Sequence, residues 1–142
     1  MNPIIESSKR QLIVNDYLDV VKARLRAREV ARELGFGTVD QARISLAAGE
    51  LARVLARNMV GAGQISIFGI KTNGHMGIQV VSLDPNSTPH HVNPNHAESN
   101  GDQEEHKDSY DALTDIFALV DEYLVEEQNH SGKRVTLMKW LS

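Results

Sequence analysis

The chain has 142 residues, enough for one hydrophobic core and too few for two, and its 41% apolar and 24% charged composition excludes wholesale disorder. Its net charge of −4 excludes a broad attraction for nucleic acid or anionic lipid, and the absence of cysteine excludes a disulfide framework or a thiolate metal site. No apolar signal segment follows Met1, and no run approaches the roughly 18 apolar residues of a membrane span, so a cytoplasmic address is expected.

In chain order, residues 11–15 form a short apolar run that reads as a strand, and Asp16 then caps a first helix. Spacing predicts a buried face of Leu18, Val21 and Leu25, continuing to Val30, Ala31 and Leu34. Lys22, Arg24, Arg26, Arg28 and Arg32 alternate with Glu29 and Glu33 around the helix, the pattern of a solvated face. Gly35-Phe36-Gly37 breaks it. Thr38 and Gln41 then fit a capping box for a second helix, which turns Ile44, Ala48, Leu51 and Leu55 inward and stops before Gly61-Ala62-Gly63.

Beyond this point the apolar period becomes two. Residues 64–70 and 77–83 read as the arms of a hairpin around the turn signal Asn73-Gly74. Residues 85–108 are rich in Pro, Asn, Ser, His and Glu, too polar to pack, and are expected to form a mobile loop. Leu113, Ile116, Phe117, Val120 and Leu124 share a helical face; a strand over 124–128, a turn over 129–133 and a last strand over 134–141 follow. This order predicts an α+β fold: a two-layer sandwich with helices on one face of a mostly antiparallel sheet, in one domain over 1–142.

Several segments resemble a known family. ELGFGTVDQARI running on to GELAR, the Gly63-Gln64-Ile65 strand entry, the strand ending at Asp84, VDEY at 120–123 and KWL at 139–141 occur in the order of the anti-sigma-factor and stressosome switch serine/threonine kinases. These are the RsbT and RsbW type, with the histidine-kinase-like ATPase (GHKL, or Bergerat) fold, and the chain is most similar to the RsbT type. The resemblance implies that fold, a STAS-domain partner, and for some members a PP2C-type phosphatase.

It also implies a nucleotide site, part by part. The family's helix motif carries a Glu that acts as general base and an Asn that holds magnesium. Here it reads Glu50-Leu51-Ala52-Arg53-Val54, so the base position is filled and an aliphatic residue stands at the ligand position, where a hard cation wants oxygen. Asn58, one turn further, would have to reach back roughly 6 Å along the axis to substitute. Asp84 matches the aspartate that receives the adenine amino group, but Pro85-Asn86-Ser87-Thr88 replaces the glycine-containing turn after it. The place of the glycine-rich phosphate lid holds Asp108-Ser109-Tyr110-Asp111-Ala112-Leu113, with no glycine and with Glu104 and Glu105 nearby.

The sequence therefore predicts a partner-switching regulator that binds a STAS-domain protein as a noncatalytic pseudokinase, with neither ATP nor magnesium as cofactor. The alternative is an active serine/threonine kinase that phosphorylates a STAS partner with ATP and magnesium, using Glu50 as base. A homodimer through the sheet edge or the second helix is a third expectation. Glu50 also has a purely structural reading, paired with Arg53 or Arg57. His90, His91, His96 and His106 read as a hydrophilic loop rather than a metal site, and Trp140 as a sheet residue.

Overall fold

Two helices bounded by glycine breaks, followed by strands of alternating polarity, leave one way to bury both kinds of apolar face: helices laid across a sheet. The computed structural model describes residues 3–58, 63–85, 113–128 and 132–142, with the side chains of Asn58 and Gln128 excepted. The elements are β1 (Ile4–Val14), α1 (Tyr17–Glu33), α2 (Thr38–Asn58), β2 (Gly63–Thr72), β3 (His75–Asp84), α3 (Leu113–Phe117), β4 (Glu122–Gln128) and β5 (Gly132–Trp140). The expected loop over 85–108 lies, apart from Pro85, outside the described residues, as do the four loop histidines.

The sheet has five strands in the order β1-β2-β3-β5-β4, with every neighbouring pair antiparallel. The expected α+β two-layer architecture is therefore present. The β2–β3 hairpin turns on Asn73 (φ 51°) and Gly74 (φ 82°), the positive-φ pair that a two-residue turn with the right twist requires. β1 is longer than the apolar run over 11–15 suggested. Its first half is polar and is held by a bulge between Ile5 and Arg10, where the Ser8 hydroxyl accepts the Gly69 N–H at 2.7 Å.

Alternation assigns the two sheet faces. Ile65 and Ile67 of β2, Ile78 and Val80 of β3 and Val135 and Leu137 of β5 pack under the helices as the main core. Phe68, Ile70 and Met138 form a smaller cluster on the opposite face, joined by Ile4, Val81 and Trp140. Trp140 is a sheet residue as expected, and its indole N–H donates to Glu122 at 2.7 Å.

The first helix departs from expectation. Its buried residues are Val20, Ala23, Ala27, Val30 and Ala31, whereas Leu18, Val21 and Leu25 are exposed. The inner stripe is dominated by small residues because α1 lies close against α2, where the Ser45 hydroxyl donates to the Arg24 carbonyl at 3.2 Å and Gly49 lies against the Arg24 side chain. Small side chains on both helices let the axes approach closely, and larger ones would hold them apart. The assignment for α2 holds: Ile44, Ala48, Leu51 and Leu55 are all buried.

Helix capping is also redistributed. Asp16 caps α1 by accepting the Leu18 and Asp19 N–H groups, and Asp19 reciprocates by accepting the Asn15 and Asp16 N–H groups at 2.8 and 3.3 Å, a complete capping box. At α2, Thr38 is already helical, and Gln41 instead donates its side-chain amide to the Phe36 carbonyl at 2.8 Å. The helix expected from Leu113 onward is a single turn and a half, since Leu124 belongs to β4.

Two outcomes follow from this packing. Ala27→Leu should overpack the seam and destabilise by about 1–3 kcal/mol, while Leu25→Ala on the outer face should change stability by less than about 0.5 kcal/mol, read by thermal unfolding of dilute protein. The hydrogen bond from Asn15 N–H, with help from Asp16 N–H and Lys22 and against the opposing effect of burial, lowers the Asp19 pKa. Stability from this group is thus present above the ordinary unfolded value near ~3.9 and is lost as pH falls through the lower folded value. Asp19→Asn should remove that acid-side dependence and cost about 0.5–2 kcal/mol at neutral pH, measured by denaturant titration across pH.

Candidate functional site

Along β3 the helix-facing side chains run Ile78, Val80, Ser82, Asp84, so the core under α2 becomes polar toward the end of the strand. Ser82 and Asp84 are both buried, at 3% and 2% exposure, and a buried carboxylate must be held by hydrogen bonds or charge. Asp84 ends β3 directly opposite Lys133 in the β3–β5 ladder. Its place is set by main chain as well as by side chains. Gly132 opens β5 at φ +90°, and its bare α-carbon lies against the Asp84 carbonyl and the Pro85 α-carbon, where any Cβ would overlap them. The sequence analysis passed over Gly132; the available signal was a glycine inside the turn expected over 129–133.

Glu50 lies at mid-length on α2, partly exposed, with its carboxylate 3.5 Å from the Arg53 Nε in an i,i+3 pair. The structural reading of this pair is therefore realised in the geometry. Val54, one turn on, is buried at 5% exposure and belongs to the main core with Leu51 and Leu55. Leu55 in turn covers Gly63 at the start of β2, where an added Cβ would come within 3.0 Å of the Leu55 Cδ2. Asn58 is the last residue of α2, and its side chain lies outside the described residues. The helix motif thus presents one carboxylate, already partnered, and one aliphatic side chain turned into the core.

α3 docks on the same helix layer through buried Leu113 and Ile116. The residues proposed for the phosphate lid, 108–112, lie just ahead of it and outside the described residues. The VDEY and KWL segments make contacts within the fold. Asp121 accepts the Trp140 N–H at 2.7 Å, Lys139 sits 3.6 Å from Asp121 and 3.7 Å from Asp40, and Tyr123 stacks on Phe117 with ring centres 3.9 Å apart. Lys139 thereby ties the start of α2 to the sheet. Among the described residues no group of three or more His, Cys, Asp or Glu could hold a metal, and no helix is long and apolar enough to cross a membrane.

Gly132→Ala should force a strained left-handed backbone and displace the Asp84 strand end, at a cost of about 2 kcal/mol or more, seen as a lowered Tm. A variant as stable as the parent would refute this account of how Asp84 is placed.

No family model matches the chain. A 66-residue stretch, 46% of the chain, is 48% identical to the serine/threonine-protein kinase RsbT of Bacillus subtilis (strain 168), covering 49% of that protein. The matched stretch therefore spans about half the length of that relative. This similarity supports the resemblance to RsbT-type proteins that the motifs carry.

Proposed function

We propose that this chain is a partner-switching regulator of bacterial stress or sigma-factor signalling that binds a STAS-domain protein without transferring phosphate. The similarity to RsbT supports the signalling class. The observation that carries the noncatalytic half is Val54: the side chain at the family's magnesium position is aliphatic and is packed in the core with Leu51 and Leu55. Magnesium takes oxygen ligands in near-octahedral array, and no rotamer of valine supplies one. The potential base, Glu50, is engaged by Arg53 on its own helix. The residues of this helix do not fit a magnesium nucleotide, so no phosphoryl-transfer step is assigned to them. The residues around Asp84 and in α2 would serve as a docking frame, competing with an active kinase for a STAS scaffold or acting on a PP2C-type phosphatase.

A second reading draws on Asp84, which is buried at the end of its strand where the family receives adenine. In that reading the chain is an active serine/threonine kinase with Glu50 as base. Isothermal titration separates the two. With ATP and magnesium the expected result is no binding in the submillimolar range, together with a stable complex on titration with a STAS-domain protein. Submillimolar ATP binding that weakens on Asp84→Asn would instead overturn the pseudokinase reading.

A further inference from the structure

Gly49 stands in the middle of α2, where glycine is the least favourable residue after proline, and its bare α-carbon seats the stem of Arg24 from α1. A Cβ there would overlap the Arg24 Cγ, Cδ and Nε. The Ser45 hydroxyl donates to the Arg24 carbonyl at 3.2 Å, so the side chain runs from Ser45 across Gly49 toward Arg53, the next position of a four-residue stripe on α2. The Nε atoms of Arg24 and Arg53 are both shielded from water and lack a hydrogen-bond partner. Arg53 has the Glu50 carboxylate at 3.5 Å, an ion pair without a hydrogen bond from Nε. Arg24 enters no ion pair among the described residues. A shielded guanidinium N–H without an acceptor is costly, so an acceptor supplied from outside would be held there.

The charges around this seat are unbalanced. On α1, Asp19, Lys22, Arg26, Glu29 and Glu33 follow at three- and four-residue steps along the flank toward β1, where they pair with one another and with Arg10. Asp16 is occupied by the α1 cap, and Asp40 by Arg43 and Lys139. The flank of α1 toward α2 carries Arg24 and, one turn on, Arg28; α2 contributes Glu50, Arg53 and, one turn on, Arg57. Arg28 and Arg57 likewise enter no ion pair among the described residues, so four cations here share one carboxylate, that of Glu50.

We propose that Arg24, seated on Gly49, anchors a docking site for an aspartate or glutamate side chain of the partner protein. This rests on the partner-binding reading above and adds the chemistry of the contact. Arginine presents its Nε–H and one Nη–H as a planar fork that matches the two oxygens of a carboxylate, and such a group would satisfy the donor that the fold leaves unpaired. A phosphoryl group would bring a third oxygen and a second charge toward Glu50, so the carboxylate is the better fit.

NMR of the arginine Nε–H groups in the full chain reads the seat without a partner. Sodium acetate, compared with sodium chloride at equal ionic strength, should move the Arg24 and Arg53 signals saturably and leave that of Arg26, paired with Glu29, in place. Sodium phosphate should move them less. Gly49→Ala fills the seat while favouring the helix, and should abolish the shift with Tm unchanged or raised. Against a STAS-domain protein that binds the parent, Arg24→Ala and Arg24→Lys should each weaken Kd by about tenfold to a hundredfold, since lysine keeps the charge and loses the fork, and Arg32→Ala by less than about twofold. An Arg24 signal unmoved by acetate, or moved further by phosphate, would overturn the proposal. So would an Arg24→Lys variant that binds the STAS-domain protein like the parent. A chain that shows the acetate shift and binds no STAS-domain protein would sink the partner-binding reading alone.

Discussion

The close approach of α1 to α2 is the contact on which the rest of the structure depends. Ala23, Ala27 and Ala31 on one helix and Ala48 and Ala52 on the other are all buried, the Ser45 hydroxyl donates to the Arg24 carbonyl, and Gly49 leaves room for the stem of Arg24. Each alanine removes little apolar area from water, so the seam contributes mainly by letting two helices share one sheet face. The large side chains Ile44, Leu51, Ile65, Ile67, Ile78 and Leu137 then fill the space between helices and sheet. The seam also dictates what is left outside. With the alanines, Val20 and Val30 turned inward, Leu18, Val21 and Leu25 of α1 are left on the surface.

The same layering places the candidate site. α2 crosses a sheet whose buried face changes from Ile78 and Val80 to Ser82 and Asp84 along one strand. Polar groups at the end of an apolar layer are the usual arrangement of a binding cleft, where few convergent polar atoms sit at the border of a core. Asp84 reaches that position through backbone, held by the register of β3 against β5 and by the bare face of Gly132. Val54 belongs to the apolar part of this border and packs in the core.

Much of the architecture was legible in the sequence. The turn residues Asn73 and Gly74, the capping Asp16 and the alternation on either side of the hairpin are local signals, and each acts over a few residues of chain. The C-terminal part of the inner face of α1, Val30 and Ala31, was legible, but its N-terminal part was not, because periodicity weights side chains by size and ranks Leu18, Val21 and Leu25 above alanine. Whether a helix buries its large or its small stripe depends on how near its neighbour stands, which no local window contains. The single-turn α3 was hidden for a related reason: Leu124 fits a helical spacing from Leu113 but pairs with Thr136 in the sheet.

For the candidate site the division is similar. Residue types decided the chemistry available at Glu50, Val54 and Asp84, since an aliphatic side chain offers no lone pair wherever it is placed and a carboxylate always does. The sequence by itself thus determined the element order, the turns and the chemical character of each motif position. Only the tertiary structure decided that Val54 joins the core, that Gly132 sets the place of Asp84 and that α1 keeps its large apolar residues outside. The physical reason is that burial and pairing are properties of two segments brought together across the chain, while turn chemistry and functional-group identity belong to one segment alone.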